Sequence, residues 1–258
     1  MSDIPEVGWR FGERYLVTEF IQHQNVAVKE IANSLYNASN QDQFIEKVAE
    51  YIRDEYFYPL DNAGNPSASG QLLRHQKGLM SWHWKKCVYY MWSLPNEVML
   101  IGAGICVDTG NLATSLLRAK ELENTWACLG SVKSDEQLLG RHEWLECHYK
   151  GEPFVMETTI HDEGVNTLIK ASEIYNKNSE WAKDHGLYYE LEAKFNEKEY
   201  IGIGPFAYAM IQIMGLPMQA VETFGVDRAL LIKPRKLVKI WRQEEIAKTE
   251  AILKAWRS

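Results

Sequence analysis

No apolar run in this sequence reaches the roughly 18 residues that a membrane span requires. The longest candidate, 201–218, is broken by Gly202, Gly204, Pro205, Gly215 and Pro217, so no membrane partner is expected. Basic residues are also in deficit. Lys and Arg number 28 against 35 Asp and Glu, a formal net charge of -7. A nucleic-acid binder normally shows the opposite balance or a clear basic face, so no nucleic-acid partner is expected either. One local basic cluster, Lys233, Arg235, Lys236, Lys239 and Arg242, reads as a solvated helix start, with a docking patch for an acidic partner as its alternative. Cysteines are few. Cys87, Cys106, Cys128 and Cys147 are spaced by 19, 22 and 19 residues, which fits no CxxC zinc or redox pattern. Residues 1–6 have neither a basic n-region nor an apolar h-region, so reduced thiols and a cytoplasmic setting are the expectation. Internal repeats and low-complexity tracts are absent from the sequence.

Aromatic residues are abundant, with nine Trp and thirteen Tyr among 258 residues, and 46% of the chain is hydrophobic. These are the values of a packed globular protein. The stretch 13–58 reads as helical. Val26, Val28, Ile31 and Leu35 recur at helical spacing, as do Phe44, Ile45, Val48, Ala49 and Ile52. Tyr56, Phe57 and Tyr58 read as an extended exit, closed by Pro59. Residues 61–71 are a loop by composition, and 72–92 are rich in aromatics. A helix is predicted over 106–119 and strands over 126–132, 142–149 and 154–159. Residues 165–258 read as a mostly helical extension, ending in an amphipathic helix over 238–256. The domain organisation expected is a helical lead-in at 1–100, a core at 100–165 and the extension at 165–258.

Cys106 follows Gly102, Ala103, Gly104 and Ile105 and opens the predicted helix. A cysteine in the first helical turn feels the positive end of the macrodipole and the unpaired N–H groups there, which favour the reactive thiolate. Taken alone, Cys106 reads more readily as a small buried hydrophobe than as a nucleophile. Gly110 inside this helix costs about 1 kcal/mol relative to Ala and suggests close packing.

The strands add to this. His142, Trp144, Glu146 and His148 share one face by period two. A turn centred on Lys150 and Gly151 pairs residue 148 with 153 and 144 with 157. Glu157 is then the diagonal neighbour of His142, within reach of its ring. A carboxylate so placed fixes the tautomer and supports the imidazolium. Glu157 as a surface carboxylate on a hairpin is the alternative.

Gly104-Ile105-Cys106-Val107-Asp108, followed by Leu112 and Leu116-Leu117-Arg118-Ala119, resembles the nucleophile segment of the transglutaminase-like superfamily, whose members share a papain-like cysteine fold. His142-Glu143-Trp144-Leu145-Glu146 is similar to that family's His-Ala-Trp-Val-Glu strand. Phe154-Val155-Met156-Glu157-Thr158-Thr159 is similar to its strand ending in Leu-Asp-Pro-Thr. The order Cys, His, acid and the gaps of 36 and 15 residues agree with the family. The resemblance covers about 88–160. Glu157 stands in place of the usual Asp and Thr158 in place of the usual Pro. The resemblance implies an α+β papain/transglutaminase-like core, with the nucleophile helix packed on an antiparallel sheet and helical N- and C-terminal extensions.

It further implies a thiol enzyme of the peptidase, amidase or transglutaminase type, acting on a protein or peptide substrate. Cys106 would be the nucleophile, His142 its base and Glu157 the orienting acid, with no cofactor and no metal. The Cys106 N–H is a candidate oxyanion donor, as are Tyr58, Trp82, Trp84 and Trp92. Hydrolysis of an amide or peptide bond is the first expectation, because transamidation requires shielding from water. Protein transglutamination, peptide N-glycanase activity and an inactive scaffold or binding module are the alternatives. A metal site drawn from His142, His148, Cys147, His161 and Asp162 is a further rival, although Cys147 and His148 point to opposite faces of their strand.

Overall fold

The computed structural model describes residues 4–10, 13–36, 40–56, 58–60, 92–102, 104–159, 167–205, 207 and 230–232. The loop at 61–71, the aromatic stretch up to residue 91, His161, Asp162, the basic cluster and the helix expected over 238–256 lie outside these residues, as does the side chain of Tyr58.

The chain opens with the hairpin β1 (Glu6–Arg10) and β2 (Glu13–Leu16), then a 3-10 turn at Val17–Phe20. The helix expected from residue 13 therefore begins later, because 13–16 are held by backbone pairing to β1. Helix α1 (Val26–Leu35) is capped by Asn25, whose side chain accepts from the Ala27 and Val28 N–H groups at 3.0 and 3.4 Å. Asn40 caps α2 (Gln41–Glu55) through the Gln43 N–H at 3.0 Å. A cap of this kind satisfies donors that the first helical turn leaves unpaired. Phe44, Ile45, Val48, Ala49 and Ile52 are the buried stripe of α2, the set that the periodicity predicts. Strand β3 (Tyr58–Leu60) pairs with β10 (Leu230–Ile232).

Helix α3 (Pro95–Ile101) leads into α4 (Cys106–Arg118), every residue of which is buried. A helix buried all round is a central element rather than a surface one. On one side α4 meets Val28, Ala32, Phe44, Ile45, Val48 and Ile52 of α1 and α2. On the other it lies on a six-stranded antiparallel sheet of order β7-β6-β5-β4-β8-β9. Its strands are β4 (Thr125–Ser134), β5 (Gln137–Tyr149), β6 (Glu152–Met156), β7 (Leu168–Lys170), β8 (Tyr188–Phe195) and β9 (Tyr200–Gly202). The architecture is thus α+β, with the helix that opens at Cys106 packed on an antiparallel sheet. The opposite face of the sheet buries Cys128, Trp144, Val155, Ile169 and Tyr189 beneath two short helices, α5 (Ala171–Ile174) and α6 (Glu180–His185).

The expectation of a mostly helical stretch after residue 165 is corrected for 167–205. Among the described residues, 167–205 supply three strands of the main sheet and only two short helices. In β8, Tyr189, Leu191, Ala193 and Phe195 alternate with Glu190, Glu192 and Lys194, a period of two that fits a sheet surface. Arg118 fastens this part to the last turn of α4. Its Nε donates to Glu197 at 2.8 Å, its Nη2 meets the other Glu197 oxygen, and its Nη1 reaches the Leu122 and Glu123 carbonyls at 3.0 and 2.9 Å. A cation in the last turn also complements the negative end of the helix.

Candidate functional site

The segment before α4 is clamped by Asp108. One of its carboxylate oxygens accepts the Ser93 N–H at 2.7 Å and the other the Ile105 N–H at 2.8 Å. Residue 105 is the N-cap of α4, so this anion sits in the positive first turn of the helix and fixes the approach of the chain to Cys106. Thr109, one residue on, shares a 3.0 Å hydrogen bond with the Thr158 hydroxyl. This bond ties the first turn of α4 to the residue that follows Glu157.

The β5–β6 hairpin turns at Lys150 and Gly151, both at positive φ, and pairs His148 with Pro153 and Leu145 with Met156, the register expected from the sequence. Strand β6 ends at Met156 rather than running to 159, because Glu157 turns to bond inward while its backbone N–H goes to the Thr167 carbonyl at 2.8 Å. The Glu157 Oε2 lies 2.9 Å from His142 Nε2. The same oxygen accepts the Tyr189 hydroxyl at 2.6 Å, and Oε1 accepts the Thr159 N–H at 2.8 Å and the Thr159 hydroxyl at 2.9 Å. The buried carboxylate is therefore surrounded by donors on both oxygens, which is what keeps an anion tolerable in an interior.

His142 is held between Trp144, at a centroid distance of 6.1 Å, and the edge of Tyr189, at 5.7 Å. Trp144 is fixed in turn by a 2.8 Å bond from its indole N–H to the Tyr175 hydroxyl, which donates to Glu146 at 3.0 Å. Nε2 is committed to Glu157, and the Cys106 side chain also acts on the His142 ring through its sulfur. Cys106, His142 and Glu157 thus come together as one chain of contacts.

The electrostatics follow from this geometry. Burial alone would lower the His142 imidazole, but the Glu157 charge, with hydrogen bonding of the ring to the Cys106 sulfur and the Glu157 carboxylate, outweighs it and raises the ring above its ordinary 6.5. Burial alone would raise Glu157, but the His142 charge and the donors from His142, Tyr189 and Thr159 hold it below its ordinary 4.5. Tyr189, pushed up chiefly by burial and by the Glu157 charge, stays protonated and remains a donor. Cys106 and His142 keep 7% and 8% of their surface exposed, whereas Glu157 keeps none. All three residues are buried, Glu157 the most completely.

Trp92 stacks on Phe195 at 6.1 Å and meets the edge of Phe20 at 5.1 Å, and is 2% exposed. It packs in the core rather than opening towards a substrate. His148 is exposed and Cys147 is buried on the other face of β5, so these two do not converge with His142. Among the described residues no three His, Cys, Asp or Glu side chains converge to hold a metal ion. No described helix is long and apolar enough to cross a membrane. Sequence reasoning missed Tyr189, Asp108 and Thr109. The alternation of β8 was the one signal that could have directed attention to Tyr189.

No protein-family model and no curated protein matches the chain. Among solved structures, Legionella pneumophila LapG is similar at 15% identity and a TM-score of 0.41, covering 72% of this chain and 83% of that one. A calcium-bound form of the same protein matches at 13% identity and a TM-score of 0.31, over 73% and 95% of the two chains. An EGTA-treated form matches at 13% and 0.33, over 73% and 96%. At this level the likeness is one of outline.

Proposed function

We propose that this chain is a cysteine-dependent acyl-transfer enzyme that hydrolyses an amide or peptide bond of a protein or peptide substrate. Cys106 is the nucleophile, His142 the general base and Glu157 the carboxylate that orients the imidazole. The observation that carries this reading is the position of the His142 ring, bonded to Glu157 at 2.9 Å through Nε2 and electrostatically coupled to Cys106 at the first turn of α4. The resemblance of the three sequence segments to the transglutaminase-like superfamily supports it.

His142 takes the proton from the Cys106 thiol, and the sulfur attacks the substrate carbonyl carbon. The resulting imidazolium is stabilised by Glu157, whose own charge is maintained by Tyr189 and Thr159. The backbone N–H of Cys106, at the open end of α4, is the proposed donor to the oxyanion. Collapse of the tetrahedral intermediate breaks the carbon–nitrogen bond, and the His142 proton passes to the departing amine. Water then attacks the thioester, His142 accepts its proton, and release of the acid restores the thiol.

The test is the rate of alkylation by iodoacetamide against pH, read by mass spectrometry, in the wild type and in His142→Ala. Cys106 is expected to react well ahead of the fully buried Cys128 near neutral pH, and His142→Ala to remove that lead. Equal rates in the two proteins would overturn the proposal, as would undiminished hydrolysis of a casein substrate by Cys106→Ala.

A further inference from the structure

Alternation along β5 sends His142 and Trp144 to one face and Glu143 to the other, against α4. Its companions on that face, Leu145 and Cys147, join an apolar cluster with Leu112, Ala113, Leu116 and Leu117. A carboxyl group therefore occupies a position where the surrounding pattern calls for an apolar side chain. Glu143 is 0% exposed, and neither of its oxygens has a hydrogen-bond partner among the described residues. It is seated against Gly110, where an added Cβ would lie 2.6 Å from Oε1 and 3.2 Å from Cγ. Any larger residue at 110 would displace the carboxyl, which accounts for a glycine in the interior of a buried helix. Gly110 is one helical turn from Cys106.

We infer that Glu143 is a positioning residue for Cys106: as a neutral carboxylic acid it seats the first turns of α4 on β5, and its ionisation with rising pH unseats them and switches the thiol site off. The inference rests on the acyl-transfer reading for its functional consequence, though not for the state of Glu143 itself. The ionisable groups that act on Glu143 are Cys106 and Asp108 of α4, and both are anions when ionised. The Asp108 carboxylate oxygens accept the Ser93 and Ile105 N–H groups. A charged Glu143 would add a further negative charge beside the thiol, with neither a hydrogen bond nor a cation among the described residues to compensate its burial. Burial first, and these negative charges second, raise it well above its ordinary 4.5.

The sign of the pH effect is fixed by this direction. Above 4.5 the unfolded chain has released this proton and the folded chain has not, so folding becomes less favourable as pH rises. The loss is about tenfold in the folding equilibrium per pH unit, until the folded group itself ionises. Glu143→Gln has the same shape and no proton to lose. Its folding equilibrium relative to wild type is therefore expected to rise about tenfold per unit from pH 5 upward. Its Cys106 alkylation rate by iodoacetamide is expected to match wild type at pH 6 and exceed it progressively in alkaline solution.

Urea unfolding of both proteins from pH 5 to 9, with alkylation at the same pH values, tests the inference. Parallel stability curves would overturn it. They would mean that the carboxyl is charged and solvated, for example by water shared with the buried Asn111 and Thr114 side chains, whose polar atoms also lack partners among the described residues. If Glu143→Gln does not fold, carbon-13 spectra of the wild-type glutamate carboxyls decide. One carboxyl still protonated at pH 7 supports the inference, and none overturns it. A Cys106 that is inert in both proteins, with the stability difference intact, would overturn the acyl-transfer reading and leave the seating role of Glu143 supported.

Discussion

Tyr189 donates its hydroxyl proton at 2.6 Å to Glu157 Oε2, the oxygen that also meets His142 Nε2. A strand 32 residues further along the chain thereby sets the position of the carboxylate that faces the imidazole. Tyr189→Phe keeps the ring that packs on His142 and Trp144 and removes only the donor. Stability is expected to fall by roughly 1.5–3 kcal/mol, the range for a hydrogen bond to a charged group, as read by urea unfolding. The His142-dependent part of Cys106 alkylation should fall with it. An unchanged alkylation profile would show that Tyr189 only packs.

The His142–Glu157 pair has a pH signature on both sides. The lowered Glu157 stabilises the fold above pH 4.5, and this contribution is lost as pH falls through its folded value. The raised His142 stabilises the fold below pH 6.5, and this contribution is lost as pH rises through its folded value. Wild type should therefore exceed Glu157→Gln in stability most clearly between those two reference values, with the difference shrinking in acid below 4.5. Unfolding curves at four or five pH values check this. A difference that is constant with pH would mean that the pair is not charged.

Gly130 lies opposite His142 in the β4–β5 ladder, at a register shift between β4 and β8. A Cβ there would stand 2.0 Å from the Glu190 carbonyl oxygen and 2.5 Å from the Trp144 ring. The first contact is with backbone and cannot rotate away. Gly130→Ala should cost more than about 4 kcal/mol, the range reserved for severe core lesions, and should fail to give folded protein by circular dichroism.

Arg118 is buried beside Glu197 and also serves two carbonyls. Arg118→Met retains the stem and removes the cation, leaving a carboxylate and two carbonyls short of a donor. A loss of about 3–5 kcal/mol is expected, by analogy with other broken buried pairs. Charge restoration in Arg118→Lys should recover only part of it, because a single ammonium cannot reproduce the forked contact.

Much of the local structure can be read from the residues. The apolar spacing of α2, the opening of α4 at Cys106 and the hairpin register that pairs His148 with Pro153 are properties of short segments. Each rests on helical or two-residue periodicity. The closeness of His142 to Glu157 follows from that same register. What was not legible depends on pairing between distant segments. Strand β8 joins β4 from more than fifty residues away, so neither Tyr189 nor the Arg118–Glu197 contact is implied by local pattern. The alternation of β8 was present but was read as part of a helical stretch. The bond between Thr109 and Thr158 and the clamp of Asp108 on Ser93 likewise need the tertiary fold before they have meaning.

The order of strands also carries a consequence for biosynthesis. Cys106 leaves the ribosome 83 residues before Tyr189, and β4 cannot acquire its β8 partner until the chain has reached Phe195. Domains formed during translation assemble from the N-terminus, and pairings across long separations come last. A nascent or truncated chain that stops before β8 would therefore carry its thiol without a seated carboxylate. The contacts of Glu157 with His142 and Tyr189 are completed only once β8 has been made.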